Sequence, residues 1–76
     1  MKEFKYEIIK NAGVLSKSSK DWRKELNLIR WGDNEPKYDI RDWSGDHGYM
    51  GKGVTFTITE LRNLKRILNR MEDLRD

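Results

Sequence analysis

Apolar and polar side chains alternate through most of this chain and then change period near its end. Phe4, Tyr6 and Ile8 alternate with Lys5 and Glu7. That is the period of a strand with one face in water, and it predicts a first strand over residues 4–15, interrupted by a bend or bulge at Gly13. A polar connection, S-K-S-S-K-D, fills residues 16–21. A second strand is predicted over 22–31 and a third over 37–43, joined by the turn Gly32-Asp33-Asn34-Glu35-Pro36. Residues 44–53, S-G-D-H-G-Y-M-G-K-G, read as a mobile glycine-rich loop, and Val54-Thr55-Phe56 as a short fourth strand. Then Thr57-Ile58-Thr59-Glu60 fits a capping box with Thr57 as the cap. A helix is predicted from there to about residue 74.

The apolar residues of that helix are Ile58, Leu61, Leu64, Ile67, Leu68, Met71 and Leu74. At about 100° per residue they cover an arc of roughly 200°, whereas a helix lying on one sheet needs a stripe of about 100°. The excess asks for a second apolar contact. Either a subunit partner supplies it, through Leu64, Ile67, Leu68, Met71 and Leu74, or the protein's own curved sheet wraps the helix.

The expected fold is therefore α+β: one domain over residues 1–76, a four-stranded curved antiparallel sheet followed by one C-terminal helix (β-β-β-β-α), in a dimer. Four strands have two faces, and one helix covers one of them. Parity sends Leu26, Leu28, Tyr38 and Ile40 toward the helix. It sends Arg23, Asn27, Ile29 and Trp31, with Lys37, Asp39, Arg41 and Trp43, to the open face. Adjacent apolar Leu28 and Ile29 signal a register-shifting bulge, which would return Trp22 and Lys24 to that face.

Composition narrows the function. The 76 residues contain no cysteine and one histidine, so no disulfide framework and no thiolate metal site is expected. The charged start and the lack of a long apolar run are those of a cytoplasmic chain without signal peptide or membrane span. A net charge of +3 is too mild to argue for nucleic acid by itself. Placement says more. All three tryptophans lie between residues 22 and 43, and seven basic residues (Lys17, Lys20, Arg23, Lys24, Arg30, Lys37, Arg41) interleave with five acids over residues 17–41. Rings that stack bases beside cations that neutralise phosphates are the chemistry of single-strand binding. The competing reading puts the tryptophans in the core and the charges in water.

Other signals are weaker. The G-Y-M-G-K-G run lacks the spacing of a phosphate-binding loop and reads as a hairpin connection. Asp39, Asp42 and Asp46 do not share a face and have no completing ligand, so a metal-dependent nuclease is disfavoured. Asp39 is expected to pair with a neighbouring Arg or Lys, and His47 to be a solvated loop side chain. No cofactor, no metal, no small-molecule substrate and no catalytic residue is expected.

Three segments carry a family likeness. W-R-K-E-L-N from Trp22, E-P-K-Y-D-I-R-D-W from Glu35 and M-G-K-G-V-T from Met50 resemble the bacterial YdbC-type proteins, relatives of the transcriptional coactivator positive cofactor four. The likeness spans nearly the whole chain, and D-I-R-x-W and K-G-[VI] are its most specific parts. It implies a homodimer of β-β-β-β-α protomers that holds single-stranded DNA in channels formed by curved sheets, without catalysis. Arg41 and Trp43 match the family's DNA-contacting arginine and tryptophan on the third strand. Trp31 matches the aromatic ending the second strand, and Lys52 the lysine opening the fourth. Arg23, Lys24 and Lys37 lie in matching segments. Leu28 departs from the pattern, where a more polar residue is expected. The expectation is a largely sequence-independent single-stranded DNA-binding homodimer serving transcription, replication or repair. An RNA-binding module and a protein-interaction domain using the aromatic face are the alternatives.

Overall fold

The computed structural model describes residues 5–75; Phe4, expected to start the first strand, lies outside them. Four strands form one antiparallel sheet in sequence order: β1 (Tyr6–Lys17), β2 (Arg23–Trp31), β3 (Lys37–Trp43) and β4 (Met50–Phe56). Helix α1 (Ile58–Arg70) follows, then a single 3-10 turn at Glu72–Leu74.

The capping box at the start of α1 is formed in both directions. The Glu60 backbone N–H donates to Thr57 Oγ1 at 3.1 Å, and the Thr57 N–H donates to Glu60 Oε1 at 2.8 Å. The helix is shorter than its apolar period predicts. Met71 turns extended (φ −82°, ψ 117°), so Met71 and Leu74 lie beyond α1. The apolar period continues past the point where the backbone stops being helical, because periodicity records which side chains are apolar and not where the hydrogen bonds end.

Two strand boundaries also differ from the sequence expectation. β1 continues to Lys17, through irregularities between Ile8 and Lys10, Asn11 and Gly13, and Val14 and Ser16. Each bulge bends a strand and raises its twist, so the predicted interruption near Gly13 is one of three. β4 begins at Met50 instead of Val54, and the glycine-rich stretch 50–53, predicted as loop, is strand. Glycine is required there: a Cβ on Gly53 would collide with the Arg41 side chain and with the Ile40 carbonyl oxygen.

Register confirms the predicted parity of β2 and β3 without a bulge between them. Arg23 pairs with Trp43, Glu25 with Arg41, Asn27 with Asp39 and Ile29 with Lys37, so these residues share a face. Leu26 pairs with Ile40 and Leu28 with Tyr38 on the face toward α1.

The core lies where the sequence expected an open surface. The fully buried apolar residues are Ile29 and Trp43, and the buried polar ones are Glu25, Asn27 and Asp39. All five belong to the face away from the helix. No residue of α1 is buried, and the helix backbone comes nearest the sheet along β3 and β4. Between helix and sheet runs an apolar groove of about 540 Å³, lined by Leu15, Leu26, Ile40, Leu61, Leu64 and Leu68 among others. Ile58, Ile67, Leu68 and Leu74 stay 52%, 48%, 43% and 53% exposed, so one protomer leaves most of this helix's apolar arc uncovered.

Candidate nucleic-acid interface

The face away from α1 is built around two buried carboxylates, each holding an arginine. Asp39 on β3 accepts from Arg41 Nε at 2.7 Å and from Arg41 Nη2 at 2.8 Å. This is the fork-to-fork geometry that fixes a guanidinium plane. Thr55 Oγ1 on β4 donates to the same carboxylate at 2.9 Å. So oriented, the Arg41 guanidinium lies 4.7 Å from the centre of the Trp31 ring, within cation–π range. Its Nη1 reaches the Gly51 carbonyl at 3.4 Å and Met50 Sδ at 3.5 Å.

Glu25 on β2 is the second centre. Its Oε1 lies 2.9 Å from His47 Nε2 and accepts from Asn27 Nδ2 at 3.0 Å and Asn11 Nδ2 at 3.3 Å. Its Oε2 is 3.2 Å from Arg23 Nε. Asn11 also donates to Asn27 Oδ1 at 2.6 Å. Burial acts to raise the Glu25 pKa, but the hydrogen bonds from Asn27 and His47 and the charges of His47 and Arg23 outweigh it, and the carboxyl sits below its ordinary range. A buried carboxylate in mid-sheet is tolerable only with such partners.

Aromatic rings run across the same face. Tyr6 sits 6.0 Å from Trp31 and 5.3 Å from Trp43, and Trp43 sits 5.6 Å from His47, all tilted. The turn 44–49 closes over Trp43. It is tied by Ser44 N–H to the Tyr49 carbonyl at 2.9 Å, by His47 N–H to the Ser44 carbonyl at 2.9 Å, and by Asp46, whose Oδ1 accepts from Ser44 Oγ and the Gly48 N–H at 2.8 Å each. Tyr6 anchors the turn from β1 by donating to the His47 carbonyl at 2.6 Å. Arg23 Nη2 anchors it from β2 at the Gly45 carbonyl, 2.9 Å away. The first part of the segment expected to be a loop is thus a hydrogen-bonded turn that roofs Trp43.

The predicted site residues are thus partly brought together. Arg23, Trp31, Lys37, Arg41 and Trp43 share the face by register. Trp31 is half-buried beneath Arg41. Trp43 has no exposed surface at all, and its indole N–H finds no acceptor among the described residues. Lys24 points the other way, pairing with Asp42 and Ser16 on the helix side. Lys52 is exposed in the β4 irregularity opposite Asp42. Asp39 pairs with Arg41, as expected.

Sequence reasoning missed Tyr6, Asn11, Lys17 and His47. His47, expected in solvent, is instead bonded to Glu25 and packed on Trp43. Tyr6 carried the right strand parity, but alternation does not say which neighbour a ring will cover. Lys17 pairs with Arg23 at the end of β1 and shares its face. Glu25 and Asp39 offset Arg23 and Arg41, and among the described residues the exposed lysines Lys17 and Lys37 add positive charge to this face.

Among the described residues no group of three His, Cys, Asp or Glu side chains could hold a metal ion, and no helix is long and apolar enough to cross a membrane. Comparison with known proteins gives two matches. A protein of Treponema pallidum (strain Nichols), described only as an uncharacterized protein, is 48% identical over 69 residues, covering 91% of this chain and 81% of the other. The family described as Transcriptional Coactivator p15 (PC4) matches residues 18–67, a span that contains β2, β3, β4 and both arginine–carboxylate pairs. The chain belongs to the Transcriptional Coactivator p15 (PC4) family.

Proposed function

We propose that this protein is a homodimeric, non-enzymatic single-stranded DNA-binding protein acting in transcription, replication or repair, and that the strand lies on the sheet face away from α1. The observation that carries the reading is the Trp31–Arg41 pair: a half-buried indole beneath a guanidinium locked by Asp39. Membership of a family of single-stranded DNA-binding coactivators points the same way.

In this reading Trp31 and Arg41 form a platform for a base. Stacking on it tolerates any base, because every base has a π-face. Lys17, Lys37 and Lys52 neutralise backbone phosphates, and Arg23 and Arg41 contribute orientation more than free charge. Trp43 is the floor under Tyr6 and His47, so the rings above it face the strand. A duplex hides its base faces, which favours an unpaired strand.

The dimer rests on the uncovered apolar arc. Leu64, Ile67, Leu68, Met71 and Leu74, with the groove beside α1, offer a second copy a continuous apolar surface.

The test is binding of labelled oligo-dT by the parent and by Trp31→Ala. The substitution is expected to cost about 1–3 kcal/mol of affinity for the base it stacks. Equal affinity of the two proteins contradicts the platform.

A further inference from the structure

Helix α1 carries positive charge that neither its packing nor the sheet face uses. Its 13 residues hold four cations, Arg62, Lys65, Arg66 and Arg70, against one acid, Glu60. All four cations are exposed. Glu60 is committed to the capping box, where it accepts from the Thr57 N–H. Among the described residues the ion pairs lie in the sheet and its turn, and none involves α1.

The arginines are ordered along the helix. Arg62, Arg66 and Arg70 recur every fourth residue, so they stand within an arc of roughly 80° and about 6 Å apart along the axis. Like charges at this spacing weaken a helix. The helix dipole favours Arg70 in the last turn, and Arg66 gains one local bond, from Nη1 to Asn63 Oδ1 at 3.0 Å. Neither accounts for Arg62 near the start of the helix, or for the row as a whole.

The row is also separate from the surfaces described above. Arg66, at its centre, lies roughly 100–160° around the helix from Leu61, Leu64, Ile67 and Leu68. Arg62 borders the apolar groove, and Arg66 and Arg70 stand successively farther from it. Trp31 and Arg41 belong to the sheet face turned away from α1.

An evenly charged polyanion fits such a row. Helix α1 has no aromatic ring, so it cannot stack bases as the sheet face can. Guanidinium forks match phosphate oxygens two at a time. Duplex DNA hides its base faces and presents one phosphate charge per ~1.7 Å of axis. Three arginines about 6 Å apart can each meet a different phosphate. An acidic protein segment is the other polyanion to consider. Protein interfaces, however, are anchored by aromatic side chains packed in pockets, and this row is flanked by Thr59, Asn63 and Asn69.

We propose that the outer face of α1 is a second nucleic-acid contact, in which Arg62, Arg66 and Arg70 hold the phosphate backbone of duplex DNA. This contact is independent of the strand on the sheet face.

The experiment titrates the full chain into a labelled blunt-ended DNA duplex, and separately into short labelled oligo-dT, over a series of salt concentrations. The parent is compared with the triple variant Arg62→Gln, Arg66→Gln, Arg70→Gln and with the triple variant Arg62→Lys, Arg66→Lys, Arg70→Lys. Glutamine and lysine are good helix formers, and circular dichroism checks that α1 is kept. On the duplex, the glutamine variant is expected to lose about 2.7 from the slope of log affinity against log salt, about 0.9 for each phosphate contact. The lysine variant should keep the parent's slope, and all three proteins should bind oligo-dT alike. A glutamine variant with the parent's duplex slope overturns the proposal, as does a parent that does not bind the duplex. Equal losses on duplex and oligo-dT also overturn it, because the row would then serve the single strand. So does binding of polyglutamate that needs the arginines and exceeds binding of the duplex. A parent that binds the duplex through this row but does not bind oligo-dT upholds the proposal and overturns the strand-binding reading. If the glutamine triple variant loses its helix, Arg66→Gln alone decides, with an expected loss of about 0.9 in slope.

Discussion

The guanidinium of Arg41 lies 4.7 Å from the centre of the Trp31 ring because Asp39, two residues away on the same strand, grips it with both oxygens. Lysine at 41 keeps the charge but loses the planar fork and the stacking. Arg41→Lys is therefore expected to weaken oligo-dT binding by about 1 kcal/mol, with little change in salt slope. Asp39→Ala leaves Arg41, whose side chain is 16% exposed, without its counter-ion. It is expected to destabilise the fold by about 3–5 kcal/mol, read by urea unfolding.

Gly53 makes room for the same arginine. A Cβ there would collide with the Arg41 side chain and the Ile40 carbonyl oxygen. Gly53→Ala is expected to cost about 1–3 kcal/mol and to move Arg41 off Trp31, which a change in indole fluorescence would report. Unchanged fluorescence and an unchanged melting temperature would contradict the packing described.

Glu25 makes stability depend on acid. Its folded-state pKa is lowered, so its contribution is complete above the ordinary carboxylate range and fades as the pH falls through the depressed folded value. The melting temperature of the parent should drop on acidification from neutral pH toward pH 3. Glu25→Gln should be less stable than the parent at neutral pH by about 1–3 kcal/mol, since the amide removes the negative charge between Arg23 and His47 and puts a donor NH2 where one of the two acceptor oxygens was. The gap should narrow in acid. A gap that stays constant with pH would contradict the ionised network.

The uncovered helix predicts assembly. Light scattering of the parent is expected to find twice the 9.1 kDa of one chain. Leu68→Glu, at a position 43% exposed in the protomer, is expected to shift the population to monomer while leaving the circular dichroism of the sheet unchanged. A parent found only at 9.1 kDa would refute the dimer.

Much of this was legible in the pattern of side chains. Alternation placed Arg23, Asn27, Ile29 and Trp31 on one face and Leu26 and Leu28 on the other, because the strand period is fixed by backbone geometry. The capping box marked the start of α1 because its two bonds are local in sequence. The burial of Trp43 was not legible. It depends on Tyr6, far away on β1, and on a turn that sequence reads only as glycine-rich. Long-range closure leaves no local period. Nor could alternation show that Glu25 and Asp39 are buried: strand parity assigns a face, and whether that face is wet depends on what folds across it. The strand at residues 50–53 was missed because glycine weakens a strand in isolation, and only the path of Arg41 explains its use here.

The measurement that bears most directly on the account is a titration of the intrinsic tryptophan fluorescence with oligo-dT at low and then moderate salt, in the parent and in Trp31→Ala. The account predicts strong quenching in the parent that weakens steeply with salt, and loss of most of that quenching in Trp31→Ala. A parent signal that does not change, together with no shift of the oligonucleotide in a gel, would contradict it and return the aromatic face to a purely structural role.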